Sequence, residues 1–201
     1  RLPGPTAARN FTPMKKQSIW TVVMLAIFAV LALIYAFMGD GGSTLRTAPD
    51  AFSIRDTSAV QQVTLTEYRD EQAQQSVTLT RAGKTWLVNG EHEADAEKIT
   101  MLLQTLKDIQ VREPVTEAGR KNVFGYMKMN HTRVAVELAG AEDRVYYIGT
   151  STPDGMGTHT LMKGSDQPYI TEMPGEIGHL KPRFAPTPRD WRSYTVLATQ
   201  P

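Results

Sequence analysis

Val77-Thr78-Leu79-Thr80-Arg81-Ala82-Gly83-Lys84-Thr85-Trp86-Leu87-Val88-Asn89-Gly90 is the stretch on which the fold turns. Val77 and Leu79 alternate with Thr78 and Thr80, and Trp86 and Val88 resume the alternation after Ala82-Gly83-Lys84. A period of two in valine- and threonine-rich sequence is the pattern of half-buried strands, and a glycine-bearing break between two such runs marks a hairpin. Upstream, Val63 and Leu65 alternate with Thr64 and Thr66 and add a third strand. Downstream, Asp95 is a candidate N-cap for a helix that carries Ile99, Leu102, Leu103, Leu106 and Ile109 on one face.

The pattern continues toward the C-terminus. Glu117 to Met129 reads as a second, weaker helix or a structured loop, because Gly119 and Gly125 interrupt it. Strands return at Val134, Val136 and Leu138 and at Val145 to Ile148, with a turn at Gly140-Ala141-Glu142-Asp143. A further hairpin joins Thr158–Met162 to Tyr169–Thr171 through Gly164-Ser165-Asp166. Four prolines between Pro174 and Pro188 rule out a regular central strand there. That segment is expected to wrap the sheet as a loop anchored by Phe184 and Trp191. The fold class expected is α+β: a mostly antiparallel β head with one main amphipathic helix packed on the sheet.

Ahead of the head, Ile19 to Met38 is apolar except for Thr21. Twenty such residues match the length of a helix crossing a bilayer core of about 30 Å. A cleavable signal peptide has a shorter apolar run, so the stretch is expected to be a single N-terminal transmembrane helix that stays in place. Arg1, Arg9, Lys15 and Lys16 precede it without an acid, and only Arg46 is cationic in the fifteen residues that follow. Positive charge stays inside. The domain organisation expected is therefore a cytoplasmic segment 1–16, a transmembrane helix 17–38, a flexible stalk 39–58 opening with Gly39-Asp40-Gly41-Gly42-Ser43, and a periplasmic domain 59–201 of the bacterial inner membrane. Met14, followed by Lys15 and Lys16, has the look of a natural start.

Composition narrows the function classes. Lysine plus arginine (22) nearly balances aspartate plus glutamate (21), and removing the four N-terminal cations leaves the exported part with 18 against 21. No nucleic-acid partner is expected from that balance. The absence of cysteine excludes disulfides, thiolate metal sites and thiol nucleophiles.

Val77 to Arg81, Trp86 to Gly90, Ala94-Asp95 with Leu102, Leu103 and Leu106, Tyr147 to Thr150, Pro182 to Phe184 and Asp190 to Arg192 together resemble the domain of unknown function 4340 family. The version resembled is the membrane-anchored one of Bacteroidota and related bacteria, over roughly Ala59 to Leu197. The resemblance implies a bacterial envelope protein, in some relatives beside ABC-type export systems of the gliding-motility kind. It supplies no catalytic or ligand residues.

The chemical motifs are weak. Gly83-Lys84-Thr85 lacks the glycine five positions earlier that a phosphate loop needs, because position 78 is threonine. His92-Glu93 is followed by Ala96 where a zinc protease has its second histidine. His131, His159 and His179 show no ligand spacing, and the loop Gly149 to Gly157 reads as a turn before it reads as an anion cradle. No catalytic residue, cofactor or metal is assigned. Two groups are candidate interaction residues: Ala29, Ala32 and Ala36 on one side of the apolar helix, and Arg183, Phe184, Arg189, Trp191 and Arg192 as an exposed aromatic and basic surface. The function expected is a non-enzymatic, single-pass accessory or scaffold subunit of an envelope or bioenergetic membrane complex, with the bilayer and other subunits as partners. The alternative is a substrate-handling module of an ABC-type transport system.

Overall fold

The computed structural model describes Trp20, residues 23–30 and residues 50–193. The chain divides into two units, Arg1–Arg46 and Thr47–Pro201. In the first, Trp20 and residues 23–30 are helical with exposed side chains.

The second unit is built on one sheet. Its elements in chain order are β1 (Val60–Arg69), β2 (Gln72–Ala82), β3 (Thr85–Val88), β4 (His92–Glu93), helix α1 (Ala96–Asp108), β5 (Gln110–Pro114), helix α2 (Glu117–Met129), β6 (Asn130–Leu138), β7 (Arg144–Ser151), β8 (Thr158–Met162) and β9 (Tyr169–Glu172). The nine strands lie in the order β4-β3-β2-β1-β6-β7-β8-β9-β5, and every neighbouring pair is antiparallel. Both long connections follow from that order. α1 carries the chain from one sheet edge, β4, to the other, β5, and α2 returns it to the centre at β6.

Each element has a local cause. The β1–β2 turn is two residues long, with Asp70 and Glu71 both at positive φ (49° and 63°). That is the twist a tight hairpin demands, here adopted without glycine. The turn is held because the Asp70 and Glu71 amides donate to the Met129 and Lys128 carbonyls at 3.0 and 3.3 Å, groups that the end of α2 leaves without an intrahelical partner. At the other helix, the Asp95 carboxylate accepts from the Glu97 and Lys98 amides at 2.9 and 3.3 Å, which caps α1.

Successive residues of a strand point to opposite faces, and here each face has its own cover. Val63, Leu65, Val77, Leu79, Val134, Val136, Tyr146 and Ile148 form the main core with Ile99, Leu102 and Leu106 of α1. Tyr147, one residue from Tyr146, packs on the other face with Val123 and Met127 of α2.

The structure corrects the expected fold class in two respects. Among the described residues no helix is long and apolar enough to cross a membrane; the parts of the expected transmembrane helix at 17–19, 21–22 and 31–38 lie outside the described residues. Nor does one main helix serve the sheet, since α2 has the same thirteen residues as α1. Gly119 and Gly125 do not break α2, because the docking of Val123 and Met127 outweighs a propensity loss of about 1 kcal/mol per glycine. The packed region also begins early, as Phe52 and Ile54 are buried in the main core.

Candidate functional site

The described residues hold a shallow cleft of about 450 Å³ where the chain enters the sheet. One wall is the entry segment, with Asp50, Ser53, Ile54, Arg55 and Asp56; the other is the β6–β7 corner, with Leu138, Ala139, Ala141 and Arg144. Antiparallel pairing brings the walls together, because Val60 at the start of β1 lies opposite Leu138 at the end of β6.

Charges around the cleft are unequally matched. Arg55 pairs with Asp50 and holds its carboxyl below the usual carboxylate range. The Ser58 hydroxyl and amide donate to Asp56 at 2.5 and 3.0 Å and lower its pKa in the same way. Arg144 is different: its guanidinium donates to the Ala51 carbonyl at 3.1 Å and makes no ion pair among the described residues. Two residues along the same face of β7, the Tyr146 hydroxyl is buried next to the Arg144 guanidinium. Burial pushes that phenol up to about 12, and Arg144 opposes the rise through its charge and a hydrogen bond with the hydroxyl. Phe52 packs on Tyr146 with ring centroids 5.7 Å apart, so the entry segment, Tyr146 and Arg144 form one structural unit.

Other motifs resolve into structural roles. Gly83-Lys84-Thr85 forms the β2–β3 turn, with Gly83 at φ +65° and a strand, not a helix, after it. His92 and Glu93 make up the exposed edge strand β4. The loop after β7 uses its own donors: the Thr152 amide bonds Gly157 at 2.9 Å, the Gly157 amide bonds the Thr152 hydroxyl at 3.0 Å, and the Met156 amide bonds Asp154 at 3.0 Å. Its carboxylate faces Arg112, which also lies near Glu113 and Glu172. Such a loop offers an anion nothing.

The histidines stand apart from one another. His131 is stacked on Tyr68 at 4.9 Å and meets Tyr147 edge-on at 5.5 Å, and its Nδ1 is 2.7 Å from the Met127 carbonyl. Burial lowers its pKa, the Met127 carbonyl opposes this, and Lys181 adds to the lowering. His159 bonds the Thr150 carbonyl at 3.1 Å, and His179 is exposed. Among the described residues no three His, Asp or Glu side chains are grouped to hold a metal.

The C-terminal candidates do not form one exposed surface. Phe184 and Trp191 are buried in the main core, and the Trp191 indole donates to the Ala185 carbonyl at 2.7 Å. Arg183 pairs with Glu176 and reaches the Thr105 hydroxyl at 3.3 Å, while Arg189 and Arg192 are exposed. Of the alanine stripe, Ala29 is exposed and Ala32 and Ala36 lie outside the described residues. Sequence reasoning missed Arg144, because nothing adjacent marks it and the Ala51 carbonyl that it bonds is 93 residues away.

Among protein families, the model of the Tar ligand binding domain homologue family matches residues 14–112, just under half of the chain. None of the curated proteins and none of the solved structures matches. The family match corrects two expectations. It is not to the domain of unknown function 4340 family, and a family described by ligand binding gives no support to a complex scaffold or to a module of an ABC-type transporter.

Proposed function

We propose that this protein is a membrane-associated ligand-binding protein of the sensory kind, whose sheet domain binds a small molecule without transforming it. The observation that carries the reading is the match to the Tar ligand binding domain homologue family, which runs from the apolar stretch through β1–β4 and α1 into β5. The cleft at the entry segment supports it. Ile54, Ala59, Leu138, Ala139 and Ala141 line it together with the charged Asp50, Arg55, Asp56 and Arg144, and small-molecule sites combine apolar and polar groups in this way.

The location that fits is the periplasmic side of a bacterial inner membrane, with the cytoplasmic N-terminus argued from Arg1, Arg9, Lys15 and Lys16. The organisation proposed with it is 1–16 inside, 17–38 within the bilayer and the sheet domain outside, with the connection that starts at 39 ending before the packed entry segment of Phe52 and Ile54. Ala29, Ala32 and Ala36 are proposed as contacts to a neighbouring helix, and Arg189 and Arg192 as contacts of the domain's surface. Lipid is the partner implied.

The test is a thermal-shift screen of the full chain against a panel of small carboxylates, amines, sugars and peptides. A ligand at a hundred times its Kd adds about 2.7 kcal/mol of stability and raises the melting temperature. A panel that leaves the melting temperature unmoved in every chemical class refutes ligand binding. Reporter fusions at residues 10 and 60 check the orientation, and the Lys15→Glu, Lys16→Glu double variant is expected to weaken it.

A further inference from the structure

We propose that the first half of β2 is a contact through which two copies of this chain pair, edge to edge, into one continuous sheet. β2 is covered on both sides over only part of its length. β3 pairs with Leu79–Ala82, and the Asn89 amide and side chain close on the Thr78 backbone at 2.7 and 2.9 Å. From Gln72 to Val77, β2 has β1 on one side and, among the described residues, no strand on the other. Thr78 turns its N–H and C=O away from β1, and backbone groups alternate in direction along an antiparallel strand, so those of Ser76 point to the same open side. Gln72 to Ser76 are exposed without a break. The Thr187 hydroxyl reaches the Gln75 side chain at 3.2 Å without engaging the backbone.

The two ends of the sheet are guarded, and this step is not. β5 carries Arg112, Glu113 and Pro114 with a register shift. β4 is two residues long, and the Ser193 amide already occupies its Glu93 carbonyl at 3.0 Å. Charge, proline and shortness keep an edge from pairing. Gln72-Ala73-Gln74-Gln75-Ser76-Val77 contains no charge and no proline, and the register shift opposite Glu67 and Tyr68 lengthens the run by one residue. The same composition selects the partner. An antiparallel pair about a two-fold axis sets the run against itself, where a charged side chain would face its like. Glutamine both donates and accepts, so glutamine opposite glutamine is self-complementary. A foreign strand is chosen by pockets for its alternate side chains, and the cleft at Val60 and Leu138 lies at the other end of β1.

Site-directed cross-linking of the full chain in mild detergent tests the proposal, and the absence of cysteine gives a clean background. In a register centred on the run, residue 74 or 75 lies against its own copy, within reach of a disulfide. Oxidised Gln74→Cys or Gln75→Cys is expected to form covalent dimer at least fivefold more than Gln110→Cys on the β5 edge. Gln74→Lys sets two ammonium groups near the axis and is expected to weaken dimerisation in sedimentation about fivefold, with the melting temperature of the exposed site unchanged. Cross-linking no greater than at Gln110→Cys overturns the proposal, as does a dimer that Gln74→Lys leaves intact, which then pairs elsewhere. A monomer at every concentration overturns it too. Slow hydrogen exchange at the Ser76 amide of such a monomer would mean that the chain covers its own edge.

Discussion

Leu102 and Leu103 are neighbours on α1, and the structure assigns them very different energies. Leu102 is fully buried in the main core, whereas Leu103 is half-buried at its margin. Truncating a fully enclosed leucine to alanine loses its transfer free energy and leaves a cavity, about 2–5 kcal/mol together. At Leu103 only part of the side chain leaves water and solvent fills the gap, so the loss is about 1 kcal/mol. With a urea dependence of about 2 kcal/mol per molar, Leu102→Ala is expected to lower the unfolding midpoint by about 1–2.5 M and Leu103→Ala by about 0.5 M. Fluorescence of the buried Trp86 and Trp191 follows the transition. A Leu103→Ala loss equal to or larger than that of Leu102→Ala refutes the helix orientation, because it requires α1 to be rotated by about 100°.

Three further outcomes are expected. Asp95→Ala removes the two capping bonds of α1 and is expected to cost about 1 kcal/mol in the same urea assay; no change means the cap is dispensable. Gly157→Ala places a Cβ 2.5 Å from the Ile170 Cγ2, an overlap expected to cost about 1–3 kcal/mol, and an unchanged melting temperature refutes the close approach of the β7–β8 loop to β9. His131 binds its proton more weakly in the folded chain than its ordinary 6.5, so unfolding takes up a proton as pH falls below that value. The neutral ring's contribution is complete above about 6.5 and is lost on acidification toward the folded pKa; the urea midpoint should fall between pH 7.5 and 5.5, and by less in His131→Gln.

The parts legible in the sequence are those where one chemical pattern decides the structure. Alternation in Val77–Val88 marks β2 and β3 because one face of each strand is buried, and the stripe from Ile99 to Ile109 marks α1 because Asp95 caps it and the sheet covers its apolar side. The β5 edge strand is illegible for the same reason. Gln110-Val111-Arg112-Glu113-Pro114 is mostly charged or polar, ends on proline and carries a register shift, features that protect an exposed edge and erase the alternation. α2 was ambiguous because its glycines are seen locally while the packing that overrides them is tertiary. Phe184 and Trp191 read as surface aromatics because they sit on short 3-10 turns with no periodicity to declare a buried face.

The position of the cleft follows from the width of the sheet. Nine strands at about 4.8 Å spacing span about 38 Å, while thirteen residues of α1 reach only about 20 Å. One helix therefore cannot close the main core. The remainder is covered by two pieces of irregular chain: the C-terminal wrap, through Leu180, Phe184 and Trp191, and the entry segment, through Phe52 and Ile54. Irregular covers leave seams, and the cleft is the seam between the entry segment and the β6–β7 corner. The entry segment is held there by the Ile54 amide on the Leu106 carbonyl at 2.7 Å and by Arg144 on Ala51 at 3.1 Å.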